Sequence, residues 1–313
     1  MMVPAALLLL GALIAVVAPR LLARADWPDR EPVVALWVWQ SVVAAVLLCC
    51  VLSMSLSAAA AWTAVRGRVF APAPQAVVEA YALGTGGPWA VTTAVVLACG
   101  GLWTGAMLVR EVVRARRQQH RRHAEILLRA PLLPGEESDG DRLVVVEGER
   151  PDAWWLPGPA PRLVITTAAL RRLKGRQVDA VVAHEQGHAR ARHHWLLHCS
   201  AALAGGFPRV PVFAAFRAEM HRLVELAADD TASRRHGRLA IALALVGLNE
   251  DRGAFGPCPT PEDHVPQRVR RLLAPPERLT PARRLRLTAY GALVPVVPVL
   301  VAFVPGLRAL GGA

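Results

Sequence analysis

His184-Glu185-Gln186-Gly187-His188 is the stretch of this chain whose residue types and spacing could do chemistry. On a helix, histidines four positions apart stand one turn apart on the same face, so both imidazoles reach one divalent ion. The glutamate between them is close enough to take a proton from a water polarised by that ion, which is the chemistry of metal-assisted hydrolysis. Val181, Val182 and Ala183 before the motif, with Gln186, Gly187 and Ala189 around it, suit a helix with one buried face. Gly187 costs about 1 kcal/mol of helix propensity relative to alanine, and its small size leaves room for the ion or for a neighbouring helix.

A catalytic zinc has three protein ligands and keeps a further position for water, so a third donor is needed. His194 follows His184 by the spacing of HExxHxxGxxH sites, but Ala191 stands where those sites turn the chain with glycine. A motif helix running on from about Arg176 to His194 would carry His194 about 9 Å along the axis past His188. His194 is therefore set aside, and His193, His198, His221 and His236 are read with it as surface or helix-end residues. The better donor is Glu225, in Leu223-Val224-Glu225-Leu226-Ala227-Ala228-Asp229, on a separate helix predicted over about 217–234. Asp229, one turn on, can accept the second ring N–H of a ligating histidine. His264 and Arg268 are candidates for contact with a substrate or a developing oxyanion.

The elements that must position these residues are of two kinds. Hydrophobic residues make up 54% of the 313, charged residues 19%, and mean hydropathy is +0.33, with the apolar residues bunched into runs. That pattern is a membrane protein's. The formal net charge of +12 comes mainly from arginines beside the apolar runs. Stop-transfer signals explain it better than nucleic acid, and no direct nucleic-acid binding is expected. The five cysteines include no CxxC pair, which argues against a cysteine zinc site or a disulfide framework.

Residues 1–109 are expected to hold three transmembrane helices, at about 2–19, 35–60 and 88–109. Arg110, Arg114, Arg116, Arg117, Arg121 and Arg122 follow the third, so the positive-inside rule puts the next region in the cytoplasm and the N-terminus outside. Residues 110–286 are the expected cytoplasmic domain, and 287–313 a C-terminal transmembrane helix centred on 287–304. Within the domain, strands are predicted at 142–147 and 161–167, joined by a turn-rich connection containing Trp154 and Trp155. Either strand could pair with an extended substrate as a sheet edge. Thr167 is the expected cap of a short helix, 168–173. The apolar segment 195–216, interrupted by Gly205, Gly206, Pro208, Arg209 and Pro211, reads as a helical hairpin or re-entrant segment against the membrane. A helix is expected at 239–248, then a proline-rich loop (Pro257, Pro259, Pro261, Pro266, Pro275, Pro276).

HEQGH followed by Glu225-Leu226-Ala227-Ala228-Asp229 resembles the membrane-integrated gluzincins: HtpX-like, CAAX-prenyl-protease-like and BlaR/MecR-type peptidases. Three spans, a zinc domain and one further span look most like the BlaR/MecR-type signalling group. His264-Val265-Pro266-Gln267-Arg268 is similar to the H-P-x(n)-R segment found after the zinc site in these families, with Val265 where proline is usual. The resemblance covers most of the chain. It implies a mainly α multi-span membrane protein of the plasma membrane with a cytoplasmic α+β zincin (gluzincin-like) domain. The activity implied is zinc-dependent endoproteolysis of a protein or peptide substrate. His184, His188 and Glu225 would hold one Zn²⁺, Glu185 would be the base, and Asp229 would brace a ligand. The expected role is signalling by cleavage of a transcriptional repressor; the alternatives are HtpX-like membrane-protein quality control and a non-catalytic zinc-binding scaffold or sensor. No sensor domain follows the last span in this sequence, so a β-lactam receptor role is not expected.

Overall fold

The computed structural model describes residues 2–70, 74–81, 88–129, 142–149, 151–156, 162–249, 264–274 and 278–311. The chain is mostly helical and forms two compact units. One comprises Met1–Leu108, Ala202–Phe216 and Leu279–Ala313; the other comprises Val109–Ala201 and Arg217–Arg278. In chain order the elements begin with α1 (Met2–Ala23), α2 (Trp27–Arg30), α3 (Pro32–Ala61), α4 (Thr63–Val69), α5 (Gln75–Ala80) and α6 (Pro88–Arg129). Three strands follow, β1 (Arg142–Val146), β2 (Ala153–Leu156) and β3 (Arg162–Thr166), then α7 (Thr167–Arg172) and α8 (Arg176–Arg190). The remaining helices are α9 (His193–Gly206), α10 (Pro211–His236), α11 (Arg238–Asn249), α12 (His264–Leu273), α13 (Pro281–Leu293) and α14 (Val296–Gly311).

The first unit is a packing of apolar helices. Three segments are long and apolar enough to cross a bilayer: α1, α3 and the Pro88–Gln118 part of α6. These helices include the apolar runs 2–19, 35–60 and 88–109, and each is somewhat longer. α1 lies close along α3 because Gly11 faces Cys49; a Cβ at Gly11 would come within 3.0 Å of the Cys49 Cβ. The region of the expected fourth span is covered by two helices, α13 and α14, bent by 47° and together apolar enough to count as one broken span. Pro295 lies at the break and Pro298 just beyond it. Proline has no N–H to donate and its ring collides with the preceding turn, so a straight helix cannot pass there.

The second unit holds the motif. Its sheet has the order β1-β3-β2, with β1 parallel and β2 antiparallel to β3. Trp154 and Trp155 therefore belong to a strand, not to a turn. β3 is the central strand, which removes 161–167 as an edge for strand addition; β1 and β2 are the edges. The cap of α7 is Thr166, one residue earlier than predicted: its hydroxyl accepts from the Ala169 N–H at 3.2 Å. Ala153 and Ile165 from one sheet face pack with Ala180, Val181 and Ala183 of α8 and with Ile241, Ala244 and Leu245 of α11. That core fixes which face of α8 turns inward.

Three boundaries differ from the sequence reading. The motif helix stops at Arg190 rather than running to His194. The apolar stretch 195–216 divides between α9 and the first turns of α10, with the break at 207–210; Pro211 starts α10 because a first-turn proline leaves no needed N–H unpaired. Pro266 lies in a helix, α12, where the same first-turn tolerance applies. The other prolines of the expected loop, Pro257, Pro259, Pro261, Pro275 and Pro276, lie outside the described residues.

Candidate metal centre

α8 presents His184 and His188 toward α10, which presents Glu225 and Asp229. The two helices meet at Gly187, where an added Cβ would lie in ordinary contact with Ala228 Cα at 3.5 Å and Thr231 Cβ at 3.6 Å. His184, Glu185, Glu225 and Asp229 are all buried. The Nε2 atoms of His184 and His188 stand 3.1 Å apart. Glu225 closes the triangle, with Oε1 at 3.3 Å from His188 Nε2 and Oε2 at 3.5 Å from His184 Nε2. Donors about 2.0–2.1 Å from a tetrahedral ion are separated from one another by about 3.3 Å, so the three residues fit a zinc-sized cation.

Each histidine is turned by a partner on its far nitrogen. His184 Nδ1 lies 3.0 Å from Asp229 Oδ1, the contact expected of Asp229. Its Nδ1–H donates to the carboxylate, which turns Nε2 toward Glu225 and His188. Asp229 is fixed in turn by Arg268 on α12, whose Nε and Nη2 donate to Oδ2 and Oδ1 at 2.8 and 2.7 Å. Arg268 Nη1 stands 2.9 Å from Glu225 Oε2. Arg268 is thus a buried cation bridging two carboxylates, not a side chain offered to an oxyanion. His264 begins α12, but its side chain lies outside the described part of the structure.

His188 is turned by a residue the sequence reading placed on the surface. Arg192 has φ +51°, the one left-handed non-glycine residue among those described. This turn ends α8 and brings the first residue of α9, His193, back against the motif. His193 is 5% exposed, and its Nδ1 is 2.9 Å from His188 Nδ1. His188 presents its Nε2 lone pair inward when its Nδ1–H donates to His193, which then carries its own proton on Nε2. The rejection of His194 rested on a continuing helix, and the helix does not continue. His194 nevertheless stays away from the cluster, exposed, with its ring beside those of Trp195 and His198. The sequence signal for His193 would have been a chain reversal after Arg190, and without a glycine there it was not visible.

The charges divide the site. Burial opposes charge on His184, yet its hydrogen bonds to Asp229 and Glu225 outweigh that and raise its pKa to about 9. Burial dominates at His188 despite the pull of Glu225, taking its pKa to about 3; at His193 it gives about 4. Burial also works against the carboxylates, but Arg268 foremost, with the histidines, holds Glu225 down at about 2 and Asp229 well below the usual carboxylate range.

Residues 116–248 match the model of peptidase family M48. Over that segment, less than half of the chain, the protein is similar to M48 metallopeptidase domains. The matched segment contains the two motif histidines, Glu185, Glu225 and Asp229; Arg268 lies beyond it. Comparisons with curated proteins and with solved structures give no match. An M48 domain implies metal-dependent proteolysis, and metallopeptidases of this family typically use zinc.

Proposed function

We propose that this protein is a membrane-anchored zinc endopeptidase whose M48 domain cuts a protein substrate at the cytoplasmic face. The observation that carries the reading is the His184–His188–Glu225 triangle, whose donor atoms are spaced for a tetrahedral ion. A zinc ion bound there would act as a Lewis acid toward the scissile carbonyl and make water nucleophilic near neutral pH. Asp229 and His193 hold the ligand rings in the tautomers that offer Nε2. Glu185 takes the proton of the attacking water and passes it to the departing amine nitrogen, so one carboxylate serves both halves of the hydrolysis. Arg268 keeps Asp229 and Glu225 ionised and in place.

The cytoplasmic orientation, with the N-terminus outside, is supported by the arginine cluster after the third candidate span. The likeness to BlaR/MecR-type peptidases in motif and span order supports a transcriptional repressor as substrate; turnover of membrane proteins is the competing outcome. Glu185→Gln decides the chemistry. It should retain bound zinc while substrate fragments disappear, and unchanged cleavage in that variant overturns the reading. Comparing protein abundances between wild-type and Glu185→Gln cells names the substrate: one stabilised soluble repressor supports signalling, and a broad set of stabilised membrane proteins replaces it with quality control.

A further inference from the structure

The unit that holds the metal site has an apolar surface that its own core does not use. α11 buries Ile241, Ala244, Leu245 and Leu248. Its other side presents Leu239, Leu243 and Val246, which are 61%, 46% and 44% exposed. Positions i, i+4 and i+7 form one stripe along a helix. Apolar on both sides, α11 is still too short to cross a bilayer: its 12 residues reach about 18 Å, against about 30 Å of hydrocarbon. α12 extends the surface, since Val265, Val269 and the 61% exposed Leu273 line an open groove with Val246. A continuous apolar surface of this kind marks a binding face.

Among the described residues, the exposed charges beside it are basic. Arg234 and Arg235 are exposed at the end of α10, directly before the stripe, and exposed Arg270 lines the groove. Asp230 on α10 is already paired with Arg271 at 2.9 Å, so it does not offset them. An apolar stripe flanked by exposed arginines suits one environment in particular, the boundary between anionic headgroups and acyl chains. We propose that α11 and α12 lie in that boundary, with the leucines and valines at the acyl level and the arginines on lipid phosphates. This face holds the domain against the bilayer independently of the spanning helices, whether or not the domain cleaves peptides.

The test uses the full chain with its five cysteines replaced by alanine, reconstituted in phosphatidylglycerol nanodiscs. Spin labels are placed at Leu243→Cys and Val246→Cys, with Asp179→Cys, exposed on α8, as the aqueous reference. Oxygen partitions into lipid, whereas a nickel chelate stays in water. The expected result is strong oxygen relaxation at 243 and 246 with loss of the chelate relaxation seen at 179. Chelate access equal to that at 179 puts the stripe in water and overturns the proposal. Protection from both reagents puts it under protein, a second copy or another partner, and overturns it as well. Leu273→Cys repeats the measurement on α12, so a misfolded variant at one position leaves the test intact.

Discussion

The two motif histidines are one turn apart on the same helix, yet they are held by opposite means. His184 is fixed by charge: its Nδ1 meets Asp229, Asp229 meets Arg268, and Arg268 returns to Glu225. His188 is fixed by a neutral imidazole, His193, that arrives through a left-handed turn. The charged side gathers a net surplus of negative partners and keeps a proton on His184 up to about pH 9. The neutral side keeps both of its rings uncharged at neutral pH. A site built this way has one ligand made electron-rich by a carboxylate and another merely aimed. The two brackets should therefore fail differently.

The largest expected effect is on the charged side. Arg268→Ala leaves Asp229 and Glu225 buried without their cation, and breaking a buried pair from one side costs about 3–5 kcal/mol. Thermal unfolding of the detergent-solubilised, metal-stripped variant should fall well below wild type. Adding Asp229→Ala should restore part of the loss, because it removes one of the stranded charges. A single variant as stable as wild type would show that the network does not bear on folding.

Metal affinity sharpens the contrast. Asp229→Ala and His193→Phe each remove the acceptor behind one ligand, a class of change that lowers affinity by about 10–100-fold. The Asp229 variant is expected at the upper end, since it removes charge as well as aim, and the His193 variant at the lower end. His193→Asn, which keeps an acceptor, should recover much of the lost affinity. Competition titrations against a chromophoric chelator would give all three constants. Equal losses for the two brackets, or no rescue by asparagine, would break the comparison.

The same asymmetry sets a pH dependence for the metal-stripped protein. His184 has its folded pKa raised from the ordinary 6.5 to about 9, so its contribution is complete below 6.5 and is lost as pH rises through 9. Glu225 has its folded pKa lowered from 4.5 to about 2, so its contribution is complete above 4.5 and is lost as pH falls toward 2. His188 and His193, lowered from 6.5 to about 3 and about 4, likewise lose their contribution as pH falls below 6.5. Melting temperature should accordingly peak near 6.5 and decline on both sides. Zinc should flatten the alkaline limb, because the ion takes the lone pair that the proton otherwise occupies. An alkaline limb that is the same with and without zinc would mean His184 is not a ligand.

What could be read from the sequence follows from how local each cause is. The apolar runs are composition effects over about 20 residues, and the structure has helices there long and apolar enough to cross a membrane. Asp229 was legible because a helix repeats every turn, and Glu225 because its helix supplies a carboxylate on that face. Arg268 was noticed, but a distant partner decides its role, and nothing nearby in sequence announces a bridge to Asp229 across 39 positions. His193 was missed because the turn before it uses Arg192 at φ +51°, a conformation that arginine does not advertise. The bend between α13 and α14 was written in Pro295 and Pro298, yet hydropathy averages across such a break.

Gly187 offers the smallest and most local test, because it lies at the meeting point of the two brackets. Its cost to the helix is about 1 kcal/mol relative to alanine. An added methyl would meet Ala228 and Thr231 at 3.5–3.7 Å, ordinary contact distances that require nothing to move. Gly187→Ala should therefore fold normally, gain up to about 1 kcal/mol, and leave metal affinity unchanged on both sides of the site. If the alanine variant instead loses metal, α8 and α10 must need to approach more closely than 3.5 Å when the ion binds. The triangle of donors would then be a set that the ion draws together rather than one the fold prepares.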